Sequence, residues 1–417
     1  MSVAGSRTPG LWRGVCALGV AQIVSWGTLF YAIAVLGPPM RDALHVDDVA
    51  LFGSFTLGLL VSGLAAPAVG RRIDARGGRG VLATGSVLGA LACMVLGLAT
   101  EPWHMVAGWV LAGLSMAMCL YDPAFATLHG VAGASYRRTV TVLTLFGGFA
   151  STVFWPLSQY LLDTVGWRQA FLVHAALHAL LCLPLHLAMT PARQSARVPA
   201  HGDAAAARDV APPRRGTFAW LATAFSLAAF VAAALSAHLI GLLTAGGLAT
   251  RDAVLVGAMI GPMQVAGRLM EMAVGPRIDA RIVGVLAFGL LAAAVALLPA
   301  IGAAWILALV FALLYGWSNG VMTIVRGTVP AELFGPHGYG RLLGRLARPA
   351  FACKAVAPVA LTLVFAVDPQ RRIAGAVLGA CAAVALVAYL RAARRPRTRA
   401  VSSGPEELRG GQPDQPA

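Results

Sequence analysis

Seven ionisable side chains stand inside long apolar runs of this chain: Asp122, Arg268, Glu271, Arg326, Arg345, Arg348 and Lys354. A charge inside a bilayer costs several kcal/mol unless it is paired or hydrated, so each is a candidate for function by default. Arg268 and Glu271 are three residues apart and share a helix face. Arg268 precedes Asp279 by eleven residues, about three turns of helix, which puts it near mid-membrane. Glu271 there is either a proton carrier or half of a locked intrahelical pair. Asp122 and Arg326 are 204 residues apart, and they make either a pair that opens and closes or a permanent one. Lys354 is the only lysine among 32 basic residues. A lysine changes charge on burial more readily than an arginine, which suits an anion site or a proton-responsive one. Arg345 and Arg348 lie nearer the end of the same run and snorkel to the interface. With Arg268, Arg326, Arg348 and Lys354 against Asp122 and Glu271, the charges inside the apolar runs favour an anionic ligand.

Polar and aromatic residues in the same runs complete a candidate pocket: Gln22, Trp26, Tyr121, His238, Gln264 and Asn319. His238 is either a proton-sharing group or a helix-packing one. His174 and His178 have a metal-compatible spacing, but no metal site is expected. No cofactor is expected either.

The elements that position these residues follow from composition. The chain has 417 residues, 58% hydrophobic and 12% charged, with a mean hydropathy of +0.75. Soluble proteins carry about twice that share of charge. The net charge of +15 would suggest nucleic acid in a soluble protein, but here the basic residues separate apolar runs too long for a soluble core. The bilayer is therefore the partner, and a soluble enzyme, a DNA-binding domain and a disordered chain are excluded. The pattern predicts spans at about 14–36, 50–69, 80–99, 104–127, 139–162, 169–190, 217–243, 253–274, 282–300, 303–329, 342–366 and 372–390. The first, at 23 residues, is too long for a cleaved signal peptide. The six cysteines lie in apolar runs and form no CxxC pair, so they read as packing residues. Residues 1–13 form a tail, 14–190 a first bundle, 191–216 a Pro-, Ala- and Arg-rich linker, 217–390 a second bundle, and 391–417 a disordered tail. Arginines crowd the even-numbered loops (Arg71, Arg72, Arg76, Arg79, Arg137, Arg138, Arg277, Arg281, Arg341) and the C-terminal tail. The positive-inside rule puts both termini in the cytoplasm of a multi-pass inner-membrane protein.

An octapeptide recurs. Residues 69–76 read VGRRIDAR and residues 274–281 read VGPRIDAR, seven positions of eight alike, each ending the second span of its bundle. Two six-helix halves related by duplication are expected, with a ligand cavity near the midplane between them.

Three stretches carry a family resemblance. Gly70-Arg71-Arg72-Ile73-Asp74-Ala75-Arg76-Gly77-Gly78-Arg79 is similar to the loop motif between helices two and three of the major facilitator superfamily. Its second copy keeps Gly275, Asp279 and Arg281 but has Ile282 where the second glycine stands in the first. Gly166-Trp167-Arg168-Gln169-Ala170-Phe171 resembles the turn into helix six. Ser25-Trp26-Gly27 and Tyr136-Arg137-Arg138 resemble signatures of a bacterial monocarboxylate-porter-like branch. That branch places an acid before an arginine in helix eight; here Arg268 precedes Glu271. The resemblance implies an all-α fold of twelve membrane helices in two pseudo-symmetric bundles, with helices one, four, seven and ten lining the cavity. It implies that Gly70, Asp74, Gly77 and Arg79, with Gly275, Asp279 and Arg281, latch the cytoplasmic ends of the halves in one transport state. The expected function is secondary active transport of a small organic solute by alternating access, an organic anion such as a carboxylate being favoured, with proton coupling through Glu271 or Asp122, in a monomer. Efflux of drug-like or toxic compounds is the alternative. A membrane-embedded enzyme lacks support, because no HExxH or Walker A pattern is present.

Overall fold

The computed structural model describes residues 9–132, 136–189, 216–274, 277–334, 339–368 and 372–394. The expected linker, except Gly216, and the tail from residue 395 lie outside the described residues. Eleven stretches are long and apolar enough to cross a membrane. One of them, Arg138–Leu187, has 50 residues, well beyond a single crossing. Gly166 divides it, with φ 82° and ψ 166°, a backbone conformation that favours glycine. The fold is therefore one of twelve crossings in two bundles of six.

In the first bundle, α1 joins Pro9–Trp26, a turn of π-helix at Gly27–Tyr31, and Ile33–Ala43. The next helices are α2 (Asp48–Arg76), α3 (Gly78–Gly97) and α4 (Pro102–Cys119, then Tyr121–Ala132). α5 begins with Tyr136–Gly148 and resumes at Ala150, and α6 follows Gly166 and ends at Leu187. The second bundle holds α7 (Thr217–Ala245), α8 (Thr250–Val274), α9 (Ala280–Ile301), α10 (Trp305–Phe334), α11 (Tyr339–Val367) and α12 (Arg372–Ala393). Short polar caps set the starts. Asp47 accepts the Ala50 amide at 2.7 Å ahead of α2, and Asp279 accepts the Arg281 amide at 2.8 Å ahead of α9.

Duplication is visible in matched contacts. Ser115 donates to the Gly85 carbonyl at 2.7 Å, tying α4 to α3. Ser318 donates to the Ala287 carbonyl at 2.7 Å, tying α10 to α9 in the same way. Gly113 on α4 lies against the Gly58 carbonyl of α2, and its counterpart Gly316 on α10 lies against the Ile260 carbonyl of α8. A side chain at either glycine would push the two helices apart, so backbones approach here as small residues allow.

In the second bundle aromatic rings stack, Phe288 on Tyr389 at 4.6 Å between centroids. In the first, three fully buried histidines of α6 reach hydroxyls on three other helices. His186 meets Ser86 of α3 at 2.8 Å, His178 meets Thr28 of α1 at 2.7 Å, and His174 meets Ser158 of α5 at 3.4 Å. Thr28 already donates to the Val24 carbonyl at 2.8 Å, so His178 Nε2 is the donor in that pair. His178 opens a second π-turn, His178–Cys182, directly against the first at Gly27–Tyr31. A π-turn shifts the register of the residues that follow it, and here two such shifts meet at one hydrogen bond. His174 and His178 are thus spent on helix packing.

Candidate functional site

Pro123 determines the shape of the site. Proline has no N–H, so the carbonyl four residues before it loses its helical partner. That carbonyl belongs to Cys119, and Gln22 Nε2 of α1 donates to it at 2.6 Å. Leu120 turns extended (φ −79°, ψ −161°), and a new helix starts at Tyr121 with Pro123 in its first turn, where a missing donor costs little. The chain thus makes a full break one turn before Pro123. Asp122 is thereby placed at the start of a half-helix, the end that favours negative charge. Gln22, expected in the pocket, is instead fully buried as the partner of the broken helix. Pro262 acts similarly in α8, where the carbonyl it frees, Ala258, accepts from Thr152 of α5 at 2.8 Å, across the two halves.

The break opens onto a cavity of about 520 Å³ between the bundles. Its walls come from α1, α2 and α4 of the first half and from α7, α10 and α11 of the second. The wall residues of α2, α4, α7 and α10 belong to the helix halves nearest the α2–α3 turn, and Trp26 and Lys354 sit at mid-depth. Beyond that depth the halves close. His238 of α7 packs on Phe52 of α2 at 3.9 Å between ring centroids and meets the Pro358 carbonyl of α11 at 2.9 Å.

Asp122, Arg326 and Lys354, three of the seven intramembrane charges picked from sequence, share this cavity with Trp26 and Tyr121. No two of the three lie within ion-pair distance among the described residues. Both cations act electrostatically on Asp122. Instead of meeting the acid, the cations rest on rings. Lys354 Nζ stands 5.1 Å from the Trp26 ring centre and 4.7 Å from that of Phe30, and Arg326 stands 5.8 Å from that of Phe225. Asp122 and Arg326 are exposed to the cavity although protein surrounds it. With Asp122 ionised the cluster carries one net positive charge.

Other expected residues lie elsewhere. Arg268 is 4% exposed and crosses between the halves. It donates to the Thr144 carbonyl of α5, to the Gly320 carbonyl of α10 at 3.4 Å, and to Thr323 Oγ1 at 3.5 Å. Glu271, one turn on, is half-buried outside the cavity. Gln264 and Asn319 line a second chamber of about 10 Å³, room for about one water. Arg348 is exposed and outside the cavity, and Arg345 lies over the Phe218 ring at 4.9 Å.

The repeated loop motif is only partly described. Gly275 and the side chain of Asp74 lie outside the described residues, Gly70 lines the cavity, Gly77 has φ 79°, and Arg79 is exposed. In the second copy Asp279 caps α9, while Arg281 Nε forms an ion pair with Glu332 of α10 at 2.9 Å. Tyr389 of α12 donates to the Arg281 carbonyl at 3.1 Å. These bonds bind the ends of α9, α10 and α12 within one half. Glu332 escaped sequence reading, since nothing but the fold brings the end of α10 to the start of α9.

Residues 18–347 match the Major Facilitator Superfamily. Monocarboxylate transporter 11 of Homo sapiens is 34% identical over 196 residues, covering 44% of this chain and 40% of the relative. Its Mus musculus counterpart is 36% identical over 190 residues, covering 44% and 39%. The chain thus spans well under half the length of these curated relatives. Among solved structures, a bacterial homologue of the human lysosomal transporter Spinster, inward-facing and unoccupied, aligns with a TM-score of 0.66 at 15% identity over 93% of both chains. The nucleoside transporter NupG, in a mutant form, aligns with a TM-score of 0.72 at 13% identity over 92% of this chain and 99% of that one.

Proposed function

The chain belongs to the major facilitator superfamily, a family of solute transporters and not of enzymes, and from that premise we propose that it carries a small organic anion by alternating access, coupled to protons. The observation that carries this reading is the placement of Lys354 and Arg326 around Asp122 in one cavity between the halves. Two cations against one acid attract an anion. The carboxylate of the solute takes the place beside Lys354 and Arg326 that Asp122 does not fill at ion-pair distance. Protonating Asp122 raises the cluster from one net positive charge to two, so anion binding strengthens as pH falls through its titration. A proton and an anion then travel together. The names of the curated relatives support a carboxylate as the anion.

The cavity lies on the side of the α2–α3 turn, which the arginine distribution puts in the cytoplasm, so this is the inward-facing state of a bacterial inner-membrane carrier with both termini inside. The chain works as a monomer, because each copy holds a complete path between its own halves.

Counterflow in proteoliposomes tests the reading. Vesicles loaded with unlabelled phenylacetate, acetate or lactate should take up the same labelled acid saturably, faster with the outside acidic. Phenethylamine should show no such uptake. Exchange of the amine and of none of the acids would overturn the anion reading.

A further inference from the structure

The walls of the cavity bear on what kind of anion it takes. Three rings form a ladder on the first half: Trp26 and Tyr121 lie 5.2 Å apart between centroids, and Tyr121 and Phe125 lie 5.3 Å apart and nearly parallel, at 11°. Phe225 and Phe351 stand on the opposite wall, from the second half. Lys354 Nζ sits over the top rung, Trp26. The Trp26 indole N–H, buried, has no hydrogen-bond partner among the described residues, which is costly for a donor that nothing else satisfies.

We propose that the solute is an aromatic monocarboxylate, with its ring laid along Trp26, Tyr121 and Phe125 and its carboxylate turned to Lys354. This rests on the anion reading above and narrows it. A carboxylate drawn to Nζ arrives at the head of the ladder, so the rest of the molecule must lie against rings. Flat faces stacked or met edge-on gain attraction beyond simple burial. With one carboxylate held at Lys354 the rest of the molecule lies along rings, where a second carboxylate would stand unpaired against an apolar wall. The cavity, about 520 Å³, is in the range of pockets that enclose ligands of drug size. A two- or three-carbon acid would leave most of it to water and touch one rung at most.

Counterflow with a matched set decides the matter, using phenylacetate, acetate and phenethylamine in wild-type proteoliposomes. Phenylacetate should half-saturate exchange at a concentration at least about tenfold below acetate, and phenethylamine should neither exchange nor compete. Trp26→Leu and Phe125→Leu should each lower the preference for phenylacetate over acetate several-fold, whatever the absolute flux. Equal handling of the two acids, or a preference for acetate, would overturn the aromatic assignment and leave the anion reading standing. A preference unchanged in both variants would overturn it too. Exchange of phenethylamine in place of both acids would overturn the anion reading and this one together.

Discussion

Asp122→Asn is expected to abolish proton-driven accumulation while leaving exchange of solute for solute at equal pH within a few-fold of wild type. Asparagine keeps the size and sits as readily in the first turn of the half-helix, but it cannot take up or release a proton. Carriers with this change would still bind an anion at Lys354 and Arg326, because loss of the acid leaves the cluster more positive. The sign of the pH effect follows. In the wild type, affinity rises as pH falls and Asp122 loses its charge; in the variant, affinity stays high and nearly flat across the same range. Solute uptake under an imposed pH gradient, beside counterflow with no gradient, reads both effects from one preparation. Persistent accumulation in Asp122→Asn, together with its loss in Glu271→Gln, would move the coupling to Glu271 of α8.

Lys354→Met should weaken anion binding by about 10- to 100-fold, the worth of a hydrogen bond to a charged group at roughly 1.5–3 kcal/mol. Methionine keeps the length and apolar stem, and it can still lie on Trp26 and Phe30, so the wall survives. The charge that anchors the carboxylate does not. Lys354→Arg is expected to recover only part of the loss, since a planar fork does not occupy the same point over two rings. Competition curves for phenylacetate in both variants measure the difference. A half-saturation equal to wild type in Lys354→Met would assign the anchor to Arg326 alone.

How far these residues could be read from sequence depends on whether their role is local. The twelve crossings and the duplication follow from hydropathy and from one repeated octapeptide, and the match over residues 18–347 agrees with them. Asp122 and Arg326 were legible as a candidate pair because they stand 204 residues apart, close to the repeat offset of 205, and Lys354 because no other lysine exists. The fold brings all three to one cavity. Gln22 and Arg268 were not legible. Gln22 serves a carbonyl that only Pro123, on another helix, leaves vacant. Arg268 shares a helix face with Glu271 by count, yet its side chain runs across the interface to carbonyls of α5 and α10. His238 illustrates the same limit: a lone polar residue on an apolar helix reads as pocket-lining, and its true neighbours, Phe52 and the Pro358 carbonyl, lie 186 and 120 residues away in the chain. Expectation also named α1, α4, α7 and α10 as the cavity walls; α2 and α11 join them, and α11 brings Lys354.

The central claim is that one path between the halves opens to each face in turn. Ala126 lines the cavity and Ser236 lines the small chamber on the closed side. Ala126→Cys and Ser236→Cys, each in a background without the six native cysteines, can be reacted with a membrane-impermeant maleimide from either side of sealed, oriented vesicles. Labelling of Ala126→Cys from the side of the α2–α3 turn should fall, and labelling of Ser236→Cys from the other side should rise, when a saturating anion is supplied only on that other side. The two changes should be of similar size. Simultaneous labelling of both positions from one side, or a gain at Ser236→Cys with no loss at Ala126→Cys, would mean a continuous pore and contradict the account.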